Sequence, residues 1–144
     1  MDSILAEEGT SAAPPMRLKF DPQEPRVFRA ATRNGLHEWQ IRRVHEYIDA
    51  HIGSRILVSD LSHIAERSAA HFTRAFKGTV GETPHAYLTR RRLEMASRAM
   101  LASNAPLTDI ALTCGFNDQA HLCRLFRRWV GRTPAAWRRD AYQV

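Results

Sequence analysis

Two runs of this chain, about fifty residues apart, place cations, small residues and an amide where one helix face could read a nucleic acid. The first is His71-Phe72-Thr73-Arg74-Ala75-Phe76-Lys77, followed by Gly81-x-Thr83-Pro84-x-x-Tyr87. The second is His121-Leu122-Cys123-Arg124-Leu125-Phe126-Arg127, followed by Gly131-x-Thr133-Pro134-x-x-Trp137. In each, a pair four residues apart (Phe72 and Phe76, Leu122 and Phe126) falls on one side of a helix and anchors it to a core. The opposite side carries Ala69, Ala70, Thr73, Arg74 and Lys77 in the first run, and Gln119, Ala120, Cys123, Arg124 and Arg127 in the second. Small residues let the backbone approach base edges, and Arg and Gln offer the donor and acceptor pairs that fit guanine and adenine. Cations later in the helix are placed for phosphates, which position a protein without reading sequence.

Other chemistry finds little purchase. Cys114, His121 and Cys123 lack a paired short ligand motif, so no metal site is expected. The chain holds no nucleophile–base arrangement, phosphate-cradling glycine loop or paired carboxylates, and the expectation is that it is not an enzyme and needs no cofactor. Arg90-Arg91-Arg92 reads as a charged helix face, with phosphate contact as the alternative.

Each run is preceded by a short helical segment, Asp60-Leu61-Ser62-His63-Ile64-Ala65 or Asp109-Ile110-Ala111-Leu112-Thr113-Cys114. A helix, a tight turn and a second helix with one basic face make a helix-turn-helix unit. Ser59 and Thr108 are natural N-caps for the first helices of the two units, Ser68 and Asp118 for the second. Thr83-Pro84 and Thr133-Pro134 pair a capping hydroxyl with proline at the first helical position. Cys114-Gly115-Phe116 suits a tight turn, whereas the matching Glu66-Arg67 predicts a differently shaped or looser one.

Before the repeats, Trp39, Ile41, Val44, Ile48 and Ile52 form an apolar stripe, and Gly53 is placed to end that helix in the left-handed conformation. The longest predicted helix runs over 84–103 and stops at Asn104-Ala105-Pro106. The expected fold is all-α, a seven-helix bundle with two helix-turn-helix units joined by a long connecting helix. Its parts are a first unit over 39–83, a connector over 84–103, and a second unit with its closing helix over 107–140. Residues 1–38, with breaker sequence at Gly9–Pro15 and Asp21–Pro25, are expected to be a mostly disordered lead before the domain of 39–144.

Charge follows the same division. Residues 39–144 hold 16 of the 21 Lys and Arg and 9 of the 15 Asp and Glu, a net of +7 against −1 for the first 38. Only Lys19 and Lys77 are lysines, and arginine suits bidentate recognition of phosphate and guanine. Two cysteines do not make a disulfide framework, the acidic start carries no secretory signal, and no apolar run approaches a membrane span, so a cytoplasmic location is expected.

These residues resemble the signature of the AraC/XylS transcription regulators. The similarity lies in Arg74-x-Phe76-Lys77, Gly81, Pro84, Tyr87-Leu88-x-x-x-Arg92-Leu93-x-x-Ala96, Ile110-Ala111, Gly115-Phe116-x-Asp118, Arg124-x-Phe126 and Gly131-x-Thr133-Pro134-x-x-Trp137-Arg138. It covers about residues 39–140. The resemblance implies two recognition helices on a rigid connector, a bacterial nucleoid location, and usually transcription activation with RNA polymerase as a partner. It places base readers among Ala70, Thr73, Arg74, Gln119, Ala120, His121 and Arg124, to which His71, Lys77 and Arg127 are added as further DNA contacts. Most relatives carry a separate effector or dimerisation domain that 38 residues cannot supply. The chain is therefore expected to bind double-stranded DNA as a monomer without a small-molecule effector. The competing expectation is a truncated interaction module that binds a full-length regulator or polymerase.

Overall fold

Helices begin where something can satisfy their first free N–H groups, and in this chain the repeat fixes most of those places. The computed structural model describes residues 35–142. The lead expected over 1–38 lies outside them except for its last four residues. Seven helices run through the described residues without a strand: α1 Glu38–His51, α2 Val58–Ile64, α3 Ala69–Val80, α4 Pro84–Ala102, α5 Leu107–Thr113, α6 Gln119–Val130 and α7 Pro134–Tyr142. The all-α, seven-helix expectation holds.

The repeat is visible in the caps. The Ser68 hydroxyl accepts from the His71 N–H at 3.3 Å, and the Asp118 carboxylate accepts from the His121 N–H at 2.7 Å. Thr83 and Thr133 each accept from the N–H three residues on, at 3.2 Å. Both α3 and α6 end on a glycine in the left-handed region, Gly81 at φ 91° and Gly131 at φ 83°.

Three local expectations are corrected. Ser59 and Thr108 lie inside the first turns of α2 and α5, which start one residue earlier, after Leu57 and Pro106. At α2 the cap works in reverse, because the Asp60 carboxylate reaches back to the Leu57 N–H at 3.0 Å. Gly53 is not left-handed, and α1 ends at His51 with Ile52 capping it in right-handed geometry. The first unit's turn is also no looser than the second's. Glu66 adopts φ 56° where Gly115 has 89°, and the Arg67 N–H bonds the Ser62 carbonyl at 2.9 Å as the Phe116 N–H bonds that of Ala111, also at 2.9 Å. The turn keeps one shape because the hydrogen bonds and flanking helices over-determine it, and Glu66 accepts an uncommon conformation.

Two apolar clusters fill the interior. Val44, Ile48, Leu61, Phe72 and Phe76 lie in the first, and Ile110, Leu122, Phe126, Val130 and Trp137 in the second. Each large side chain fully buried contributes roughly 1.5–3 kcal/mol. Helix α4 belongs to both: Tyr87 and Leu88 complete the first cluster, and Leu93, Ala96 and Met100 the second. The stripe on α1 is buried at Ile41, Val44 and Ile48, but Trp39 is 42% exposed, with the Arg43 guanidinium 5.4 Å over its ring. The folded part also reaches back past the boundary placed at 38/39. Leu36 is fully buried and donates its N–H to the Thr79 hydroxyl at 2.9 Å.

Candidate nucleic-acid interface

Helices α3 and α6 have the same length, the same cap positions and the same terminal glycine, so their side chains can be compared residue by residue. Phe72, Ala75 and Phe76 point α3 into the first cluster, and Leu122, Phe126 and Val130 point α6 into the second. That burial turns the other face outward. Ala70, Arg74 and Lys77 are exposed on α3, and Gln119, Ala120, Arg124 and Arg127 on α6. Among the described residues no carboxylate pairs with Arg74, Lys77, Arg124 or Arg127. They form two matching sets of unengaged cations.

The remaining sequence-predicted residues are partly committed within the fold. Thr73 is half-buried, and its hydroxyl donates to the Ala69 carbonyl at 3.0 Å, leaving it an acceptor. The Gln119 amide oxygen accepts from the Thr108 hydroxyl at 2.9 Å, which ties this side chain to α5 and leaves its NH2 group as donor. His71 and His121 are half-buried and serve the turns. Arg67 lies 2.9 Å from His71 Nε2, and since a guanidinium only donates, that nitrogen is the acceptor. The Asn117 N–H donates to His121 Nδ1 at 3.2 Å, while the His121 ring packs edge-on against Phe116.

The arginine run on α4 behaves otherwise. Arg90 binds Glu82 through Nε and a terminal nitrogen, at 2.8 and 2.6 Å, and Glu94 at 2.7 Å. Arg91 pairs with Asp49 and with Glu94. Burial works against both cations, but the hydrogen bonds and charges of these carboxylates outweigh it and raise them above the ordinary arginine value. Arg92 pairs with no carboxylate among the described residues and donates to the carbonyls of Ile52 and Ser54, so burial alone lowers it. The run is thus neither a free charged face nor a set of open phosphate contacts, since each of its side chains is tied into the fold. Arg138 acts likewise, donating to the carbonyls of Met100, Ser103 and Ala105 at 3.1, 2.6 and 2.8 Å and closing the end of α4.

Arg128 escaped the sequence reading. It is exposed on α6 next to Arg127, without an ion pair among the described residues, and with Thr89, His85 and Trp129 it lines a cleft of about 520 Å³ between α6 and the start of α4. Its place beside Arg127 near the end of the basic helix was the available signal. No group of His, Cys, Asp and Glu among the described residues could hold a metal ion.

Comparison with known proteins fits this geometry. A family described as "Helix-turn-helix domain" matches residues 61–140. A protein of Photobacterium leiognathi named "Probable transcriptional regulator LumQ" is 34% identical over 94 residues, which is 65% of this chain and 38% of that protein. A Streptomyces lividans protein named as an AraC-like transcription regulator is 38% identical over 82 residues, 57% of this chain and 27% of that one. The chain thus spans well under half the length of these relatives. Among solved structures, the DNA-binding domain of AdpA, a global transcriptional factor crystallised with a target DNA, superposes with a TM-score of 0.67. It is 30% identical, over 72% of this chain and 93% of that one.

Proposed function

This chain belongs to the AraC/XylS family of DNA-binding transcription regulators, and on that premise we propose that α3 and α6 are two separate readers of one operator. Each enters its own segment of major groove on one side of the duplex, with centres about 10 bp apart. Arg74 and Arg124, midway along each outward face, meet base edges together with Ala70, Thr73, Gln119 and Ala120. Lys77 and Arg127, one turn further on, meet phosphates. His71 and His121 act at one remove, holding the turn against the helix while their outer edges approach the backbone. A monomer then suffices for an asymmetric site, and activation through RNA polymerase, which the family resemblance implies, is part of the same proposal.

The observation that carries this reading is the sorting of cations. Arg90, Arg91 and Arg92 on α4 and Arg138 on α7 are engaged by carboxylates or carbonyls, whereas Arg74, Lys77, Arg124 and Arg127 stand at equivalent positions on two equivalent helices with no ion pair among the described residues. The interaction-module reading gains no such support. Among the described residues the exposed large apolar side chains Trp39, Leu101, Leu112 and Tyr142 sit on four different helices and Leu57 just before α2, so they form no single apolar face along one helix.

Selection of random duplexes by the purified chain tests the proposal. Two enriched half-motifs about one helical turn apart are expected. Salt-sensitive binding with no enriched motif would reject it and bring the interaction module forward.

A further inference from the structure

The two helix-turn-helix units touch away from the helix that joins them, and the contact is made by backbone. A Cβ placed on Gly53 would lie 2.6 Å from the Thr113 carbonyl oxygen. One placed on Gly115 would lie 2.5 Å from the Ile52 carbonyl oxygen and 2.7 Å from Arg92 Nε. Ile52 and Gly53 close α1 in the first unit, and Thr113 and Gly115 form the turn that aims α6 in the second. Arg92, midway along α4, binds this seam from the third side, with Nε donating to the Ile52 carbonyl at 3.1 Å and a terminal nitrogen to that of Ser54 at 2.8 Å.

Two bodies joined by one helix can still twist and flex about it. A second contact lateral to the helix removes that freedom, and a contact made by main chain has no rotamers through which to yield. Gly115 stands only four residues before Gln119, so any shift at the seam is carried into the start of α6. We infer that the Gly53–Gly115 seam, clamped by Arg92, sets the distance and angular phase between the two half-sites that the chain accepts. Arg92 is then a positioning residue for specificity although it does not itself touch the nucleic acid.

The inference rests on the two-reader proposal, and its test separates the two. Dissociation constants are measured for the full chain, Gly53→Ala and Arg92→Met, against duplexes carrying the selected half-motifs at the preferred spacing and with one base pair inserted or removed. A duplex with a single half-motif is included, and circular dichroism confirms the fold. One inserted base pair moves a half-site about 3.4 Å along the axis and about 35° around it, so the parent should lose at least about tenfold, the scale of a mismatched base pair. Both variants should cut that penalty to about threefold or move the preferred spacing, while single-half-site affinity stays within about twofold of the parent. Variants that fold and keep the parent's spacing penalty overturn the inference alone. A parent indifferent to spacing overturns the two-reader proposal, and the inference with it.

Discussion

Tyr87 stands edge-on to Phe76, with ring centroids 5.5 Å apart and planes at 77°, and fifty residues later Trp137 meets Phe126 at 5.7 Å and 70°. In both units the same contact pins the basic helix to the helix that follows it. It lies across the core from the exposed face, so it holds the orientation of that face without contributing to it. Truncating Phe126 to Ala should cost about 3–5 kcal/mol through the cavity left behind. Urea denaturation read by tryptophan fluorescence would show it, and a loss under about 1 kcal/mol would mean that the second core is not built around this pair.

The assignment of bases and phosphates makes a separable prediction. Arg74→Ala and Arg124→Ala should each weaken the selected site by about 1–3 kcal/mol and relax preference at a few base positions. Arg127→Ala should weaken selected and random duplexes alike. It should also lower the slope of log affinity against log salt by about 0.9, the share of the one phosphate that the truncated side chain no longer neutralises. Equal losses on both kinds of duplex for all three variants would refute the division.

Glu66 holds a left-handed conformation that costs a side-chain-bearing residue about 1–2 kcal/mol. Glu66→Gly should therefore stabilise the fold by about 0.5–1 kcal/mol after glycine's greater freedom in the unfolded chain is counted, read as a higher urea midpoint with an unchanged slope. Destabilisation instead would show that the carboxylate stabilises the turn by more than the strain it incurs.

Cys114 and Cys123 should behave oppositely toward alkylating reagents. Cys123 is half-buried on the outward side of α6, whereas Cys114 is buried and desolvation pushes its thiol up from 9.0 to about 11. Mass spectrometry after iodoacetamide treatment should find Cys123 labelled in the native chain and Cys114 labelled only after unfolding. The same shift sets a pH dependence. The unfolded thiol loses its proton near 9 while the native one keeps it, so stability should fall as pH rises from 9 to 11. Cys114→Ala should flatten that fall, measured as the urea midpoint against pH.

Arg138 donates to three carbonyls at the end of α4, two of which, Met100 and Ser103, also accept from the Tyr142 hydroxyl. Arg138→Met keeps much of the apolar stem and removes the donors, and should cost about 1.5–3 kcal/mol in urea denaturation. A neutral result would place the stop of α4 in Asn104-Ala105-Pro106 and the Tyr142 hydroxyl.

Much of this arrangement was legible in the sequence because each unit repeats the same cues. Ser68, Asp118, Thr83 and Gly115 announce caps and a turn by residue type, and the apolar pairs fix which face is buried. The errors have physical causes. At α2 the cap is formed by Asp60 reaching back to a main-chain N–H, so the leucine at that position shows no side-chain signal while nearby Ser59 shows a false one. A glycine looks the same in sequence whether it serves a left-handed bend or a close approach, and Gly53 serves the second. Glu66 gives no hint of its turn because the shape is imposed by its neighbours. For Arg90, Arg91 and Arg92, partners as distant as Asp49 and Ile52 decide the role, and spacing along one helix does not contain them.

In α3 and α6 the caps, turns and apolar anchors share almost no side chains with the outward face. Ala70, Arg74, Ala120 and Arg124 can therefore change with little effect on folding, since exposed positions of this kind usually shift stability by under about 0.5 kcal/mol. On the two-reader proposal a scaffold so divided should be open to retargeting: substitutions confined to those positions should alter which operator is preferred while the fold stays as it is.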